Sequence, residues 1–296
     1  MSFKTAVCVF VMLCYACSRE RKASEITGDL LFKYGFVNDY TTNAVLDSIL
    51  PALNTMARHA GPRYFVLEKD YSAGDTNQIL LIPFRRRSDI GSVTAFSDIK
   101  GRYVMLCPLQ IKSFVAAHSL SDSTDVSGYM GLVLMHELAH FICAVPGGFD
   151  SGTNAKDAAP ELGERDMGTE PQLMTRYKKL ELKVDSLAVE MVKAGAAQKD
   201  LNCFIFSNNI KLAVMASEFT VFGSRILDDF GSTSAGLLKD NSWTHPNLEL
   251  RLAFMNYYFN PSPQKWEQIQ DYLYEREVAP VHRQELDVRI NQDERR

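Results

Sequence analysis

The feature that most constrains this chain is a charged motif inside an apolar segment. Residues 132 to 145 read LVLMHELAHFICAV, with one glutamate and two histidines among side chains typical of a protein core. Burying an ionised carboxylate or an unpaired imidazole is costly unless a partner compensates. The apolar run, residues 128 to 145, is long enough for one buried helix. We therefore expect a buried polar site, and a metal ion is the natural compensating partner.

The spacing of the three polar residues favours a catalytic zinc site. His136 and His140 are four residues apart, so on a helix they project from one face and can bind a single ion. Glu137 lies beside the first histidine, within reach of a water molecule on that ion. Imidazole and carboxylate ligands suit zinc, and three protein ligands leave a fourth position for water. We expect one Zn²⁺ per chain, with Glu137 as the general base of a hydrolysis.

A pair of carboxylates downstream offers the third ligand. Glu181 and Asp185 are also four residues apart, in a segment (178 to 197) with the apolar pattern of a helix. Glu181 as a zinc ligand, and Asp185 as the acceptor for the distal N–H of a ligating histidine, would give both carboxylates a partner. The alternative is that the pair forms an ordinary solvated helix face.

Three motifs in this order resemble the gluzincin metallopeptidases of the HtpX and CaaX-prenyl-protease kind. They are HELAH at 136 to 140, ExxxD from Glu181 to Asp185, and HPxxxxR from His245 to Arg251. The phage-exclusion Lit peptidase is similar in motif order. The resemblance implies a zincin-like endopeptidase with Glu181 as the third zinc ligand. It also implies that His245 faces the attacking water or the oxyanion, and that Arg251 holds the ligating glutamate or a neighbouring carboxylate.

The same resemblance suggests how a peptide substrate binds. Relatives of this kind lay the substrate as an added strand along a sheet edge, and residues 102 to 109 (RYVMLCPL) are the candidate strand. We further hypothesise that the long polar insertion at residues 147 to 175 is a lid. The chain departs from the family at Lys183 and Val184, which stand where small or acidic residues are common. Since it also lacks the transmembrane helices of many relatives, the substrate class stays open.

Other interpretations of these motifs remain open. HELAH could be a core motif without a metal, and His245 could cap a turn before its proline. Peptide deformylases pair HExxH with an upstream cysteine, so Cys107 is a rival ligand for a non-peptidase zinc amidohydrolase. A catalytically silent zinc-fold lipoprotein that acts as a binding or scaffold protein is a further alternative, although the intact Glu137 argues against it.

The N-terminus has the features of an export signal. Lys4 precedes an apolar segment (6 to 16) too short to span a bilayer comfortably, so residues 1 to 17 are interpreted as a signal peptide. Cleavage after Ala16 would leave Cys17 for lipidation, as in a bacterial lipobox. We expect an exported protein anchored in the bacterial envelope by lipid. Ordinary secretion, an uncleaved anchor, or a fortuitously apolar terminus in a cytoplasmic protein are the alternatives.

The remainder (18 to 296) is expected to form a single domain of mainly helical α+β class. With 46% hydrophobic and 23% charged residues the chain can bury a large core, and its formal charge of −4 gives no case for nucleic-acid binding. Three β-rich stretches (63 to 68, 78 to 84 and 102 to 109) predict a small antiparallel sheet. Outside the leader, three widely spaced cysteines are expected to be small buried hydrophobes: Cys107, Cys143 and Cys203.

Overall fold

The computed structural model describes eight stretches of the chain: 23–39, 43–61, 64–70, 75–86, 94–117, 123–144, 176–229 and 248–275. Three features singled out in the sequence lie outside these residues. They are the leader with Cys17, the insertion at 147 to 175, and His245.

The described part of the chain is mainly helical, as expected. Its helices, in chain order, are α1 (Ala23–Tyr34), α2 (Asn43–His59), α3 (Pro108–Ala117), α4 (Ser123–Ala144), α5 (Arg176–Ala196), α6 (Leu201–Asp229), α7 (Leu248–Phe259) and α8 (Pro263–Glu275). The HELAH motif lies in α4 and the ExxxD motif in α5. The three cysteines predicted to be buried hydrophobes are buried, and the described residues contain no disulfide that involves them.

A small mixed sheet accompanies the helices. Its strands are β1 (Phe36–Asn38), β2 (Val66–Glu68), β3 (Gln78–Arg86), β4 (Ala95–Asp98) and β5 (Tyr103–Leu106). The order across the sheet is β1-β3-β5-β4, and β2 also pairs with β3. β1 pairs with β3, and β4 with β5, in the antiparallel sense, whereas β3 is parallel to both β2 and β5.

The prediction of an antiparallel sheet is therefore wrong, and a missed strand explains part of the error. β4 lies in sequence between β3 and β5, and it adds one reversal of direction before the chain enters β5. As a result β5 runs parallel to β3. All four residues of β4 are half-buried, so neither face of the strand is more buried than the other. Its sequence, AFSD, accordingly lacks the alternation of apolar and polar residues that predicts a strand.

The sheet separates two apolar clusters because side chains alternate along its strands. Ile79 and Leu81 of β3 lie in the larger cluster, together with residues of the helices α2 to α8. Leu80 and Ile82 face the opposite side, where α1 covers the sheet. The larger cluster holds most of the buried apolar residues, so the helical side supplies the main core.

Helix α4 runs through the middle of this core. Its segment Val126–Ala144 is long and apolar enough to cross a membrane, but 72% of it is buried inside the protein, as in the core helix of a globular domain. α4 packs against α5 and α6. At its start, a Cβ added to Gly128 would lie 2.6 Å from the carbonyl oxygen of Asn209 in α6. Glycine is needed here because the two backbones approach so closely.

This close approach predicts the effect of adding one methyl group. We expect Gly128→Ala to lower the free energy of unfolding by about 1–3 kcal/mol, since α4 and α6 must move apart. Gly28→Ala in α1 is the matched control, because a Cβ at Gly28 meets nothing within 4 Å. It should leave stability unchanged or raise it by up to about 1 kcal/mol, because alanine favours helix. Urea unfolding measures both, and equal effects of the two substitutions would contradict the close contact.

Candidate metal centre

Two helices bring together three side chains that could hold a metal ion. His136 and His140 project from one face of α4, one helical turn apart, as their spacing predicted. Glu181 comes from α5, which packs against α4. One ligand atom from each residue lies within 4.8 Å of the others. His136 and Glu181 are buried, and His140 is largely so.

Short distances separate the two imidazole nitrogens and the carboxylate of Glu181. Nε2 of His136 lies 3.1 Å from Nε2 of His140. The Glu181 carboxylate lies 3.2 Å from Nε2 of His136 through Oε2, and 3.6 Å from Nε2 of His140 through Oε1. The three groups therefore converge on one volume, which is what shared ligation of a cation requires.

A buried carboxylate orients the first histidine. Nδ1 of His136 lies 2.8 Å from Oδ1 of Asp185, which is fully buried on α5 one turn after Glu181. With its Nδ1–H donated to Asp185, a neutral His136 has its lone pair on Nε2, facing His140 and Glu181. The hydrogen bond therefore fixes the tautomer that a metal ligand needs.

An arginine from a third helix completes this arrangement. Arg251 of α7 donates two hydrogen bonds to Asp185, from Nε to Oδ2 at 2.8 Å and from its terminal nitrogen to Oδ1 at 2.7 Å. Such bidentate pairs are the strongest and most directional of protein ion pairs. Arg251 was expected to hold either the ligating Glu181 or a neighbouring carboxylate. Its guanidinium binds the neighbouring carboxylate, Asp185.

The charges of the cluster set the proton affinities of its members. Burial raises the pKa of Asp185, but Arg251 outweighs burial and lowers it to about 2. Burial and Arg251 lower the pKa of His136, yet Asp185 and Glu181 outweigh them and raise it to about 9 in the absence of a metal. Burial and His136 lower the pKa of His140 to about 4. The metal-free cluster thus holds a proton on His136, which a cation would displace from Nε2.

Glu137 lies beside this group and contacts the sheet. It is buried, and burial raises its pKa above the usual range. Its carboxylate accepts a hydrogen bond from the hydroxyl of Ser97, which belongs to the edge strand β4. Ser97 was not predicted as a site residue, because β4 is short and Ser97 is about forty residues upstream of HELAH.

Two further residues were predicted to take part in the site, Cys107 as a rival ligand and His245. Cys107 belongs to the apolar cluster on the α1 side of the sheet, and its backbone N–H donates to the carbonyl of Thr94. Within the described residues, the group able to hold a metal contains Glu181 and not Cys107. His245 precedes the described start of α7, so its predicted place at the reacting oxygen stays a prediction.

Comparison with known proteins identifies no relative. No family model matches the chain, and neither the curated proteins nor the solved structures contain a match.

The buried ion pair predicts a large loss of stability when one partner is removed. We expect Arg251→Met to cost about 3–5 kcal/mol, because it removes both guanidinium hydrogen bonds from the buried Asp185 carboxylate and leaves it with the imidazole of His136. Adding Asp185→Leu should recover part of this loss, since neither charge then remains. Lys69→Met is the control: the Lys69–Asp47 pair is partly exposed, and its loss should cost less than about 1 kcal/mol. Urea unfolding of the single and double variants would contradict the coupling if their effects simply added.

Proposed function

We propose that this protein is a zinc-dependent endopeptidase of the gluzincin type. The observation that carries the proposal is the convergence of two imidazole nitrogens and one carboxylate from α4 and α5, with His136 held in its ligating tautomer by Asp185. If HELAH were only part of the core, its polar atoms would bond to other protein groups. Three potential ligand atoms would then have no reason to converge on one volume. The motif order that resembles the HtpX and CaaX-prenyl-protease family supports the same conclusion.

The donor set fits zinc. A tetrahedral ion with bonds of about 2.0–2.1 Å has ligand atoms roughly 3.3–3.4 Å apart. The two imidazole nitrogens are 3.1 Å apart, near that value, and the Glu181 carboxylate has one oxygen 3.2 Å from His136 and the other 3.6 Å from His140. Two imidazoles and one carboxylate are also the ligand types of zinc hydrolases that leave a position for water. His136, His140 and Glu181 would hold the ion, and zinc there would supply Lewis-acid activation of water and of the scissile carbonyl.

The protein's own residues would handle the proton. Glu137, with its pKa raised by burial, would accept a proton from the attacking water and then give it to the leaving amine. Its hydrogen bond from Ser97 would restrain the carboxylate beside the three ligand residues. Asp185 and Arg251 would hold His136 in place without contacting the substrate. His245 remains the proposed partner of the oxyanion.

The position proposed for the substrate strand needs a correction. β5, within the stretch 102 to 109, is paired on both sides, with β3 and with β4, so its backbone has no free edge. The outer strand is β4. Because Cys107 N–H bonds to the carbonyl of Thr94, the alternation of an antiparallel pair directs the backbone groups of Ala95 and Ser97 away from β5. An extended peptide added to this edge would lie next to Glu137.

The proposal also covers the cellular setting. The leader and Cys17 would export the protein and anchor it in a bacterial envelope membrane through lipid. The segment 147 to 175, which separates the two ligand-bearing helices in the sequence, would cover the cleft as a lid. Deleting it should change substrate preference.

Zinc content tests the ligand set directly. We expect the purified full chain in detergent to retain one zinc per molecule after dialysis, and Glu181→Ala to lose most of it, since two histidines alone bind far more weakly. Glu190→Ala, nine residues further along α5, should retain the metal because it pairs with Lys193 outside the group. Elemental analysis is the measurement. No zinc in the wild type would reject the proposal, and equal zinc in both variants would reject Glu181 as a ligand.

Glu137→Gln separates turnover from metal binding. We expect it to keep its zinc and to lower cleavage of a fluorescently labelled unfolded protein by about 10²–10⁴-fold, the usual contribution of a general base. Glu190→Gln is the matched control and should cleave like the wild type. A wild type that binds zinc yet cleaves nothing would favour the scaffold alternative, whereas an active Glu137→Gln protein would exclude Glu137 as the base.

A further inference from the structure

Helix α6 has two apolar faces. One face is buried against the core and includes Phe206, Ile210 and Val214. The opposite face exposes five large apolar side chains at helical spacing: Leu201 (69% exposed), Phe204 (49%), Ile205 (49%), Leu212 (60%) and Met215 (43%). We name these five residues the α6 stripe. Solvent-exposed apolar patches of this kind mark interaction surfaces.

Four of the five residues of the α6 stripe are symmetric about one residue, Asn208, whereas the mirror position of the fifth, Ile205, holds Lys211. Leu201 and Met215 lie seven residues before and after Asn208, and Phe204 and Leu212 lie four residues before and after it. When two identical helices pack in the antiparallel sense, each residue before the crossing point meets the one equally far after it. A stripe with this symmetry is therefore complementary to itself.

We propose that this protein forms a symmetric dimer in which the α6 stripes of two copies pack antiparallel, with Asn208 on the two-fold axis. In this arrangement Leu201 packs on Met215 of the second copy, and Phe204 packs on Leu212 of the second copy. Asn208 already donates from Nδ2 to the carbonyl of Phe204, at 3.0 Å. Its second amide hydrogen and its carbonyl oxygen would pair with the same groups of Asn208 in the second copy.

The composition around the stripe favours a second copy over a membrane surface. Helices that lie on membranes carry many lysines and arginines beside their apolar face. Here the neighbouring positions hold Asn202 and Asn209 on one side and Lys211 on the other. The central Asn208 would be poorly solvated in lipid, whereas a polar residue at a helix-pair axis fixes register.

The size of the stripe is sufficient for a specific contact. Its five side chains expose on the order of 500 Å² together, so two copies would bury about 1,000 Å², near the lower bound of specific interfaces.

A charge exchange across the axis tests both the dimer and its register. The full chain in detergent should have the mass of two chains by light scattering, after subtraction of the detergent. Leu212→Lys and Phe204→Glu should each weaken association by about tenfold or more, because a charge would then face an apolar side chain. An equimolar mixture of these two variants should regain the dimer mass, since the lysine and glutamate face each other in the mixed pair.

Phe32→Lys is the matched control. Phe32 is 85% exposed on α1, outside the α6 stripe, and its replacement should leave the dimer unchanged. Circular dichroism and zinc content of each variant show that the fold is kept. A monomeric wild type, a Leu212→Lys protein that remains as dimeric as the wild type, or a mixture that stays monomeric would each overturn the proposal. So would loss of vesicle binding by Phe204→Glu without a change in mass.

Discussion

The hydrogen-bonded pair of Asp185 and Arg251 is the interaction on which the centre of this protein depends. It joins α5 to α7, and through His136 it also joins both to α4. A charge in this core is tolerable only because each group has a partner of opposite charge or a hydrogen-bond acceptor. The same contacts that make burial possible also fix the ring of His136. The stability of the core and the geometry of the three candidate ligands, His136, His140 and Glu181, therefore depend on the same contacts.

The sheet matters to the site through its last strand. β4 is the outer strand, and it carries Ser97, whose hydroxyl bonds to Glu137 on α4. The proposed base thus lies where the helical core meets the outer strand of the described sheet. This position would bring an extended peptide, the metal group and the base together. It follows from the strand order, because a fully paired strand such as β5 offers no backbone groups to a substrate.

Helix α6 connects the core to the proposed dimer contact. Its inner face packs against α4 so closely that Gly128 meets the backbone of Asn209. Its outer face carries the α6 stripe. Pairing of two stripes would therefore brace the helix that supports the histidine-bearing α4. The proposed dimer rests on the α6 stripe alone, and it would stand even if the site were not a peptidase.

The sequence by itself determined the local parts of this protein. A spacing of four residues puts His136 beside His140, and Glu181 beside Asp185, wherever these segments are helical, because the helix period is local. Their burial followed from the apolar residues around them. The tertiary structure decided that Arg251 binds Asp185 and that the Ser97 hydroxyl donates to Glu137. It also decided that β4, and not β5, is the outer strand of the described sheet. These three features depend on pairings between segments that are distant in the sequence. The half-buried strand β4 has no alternating sequence pattern from which they could be predicted.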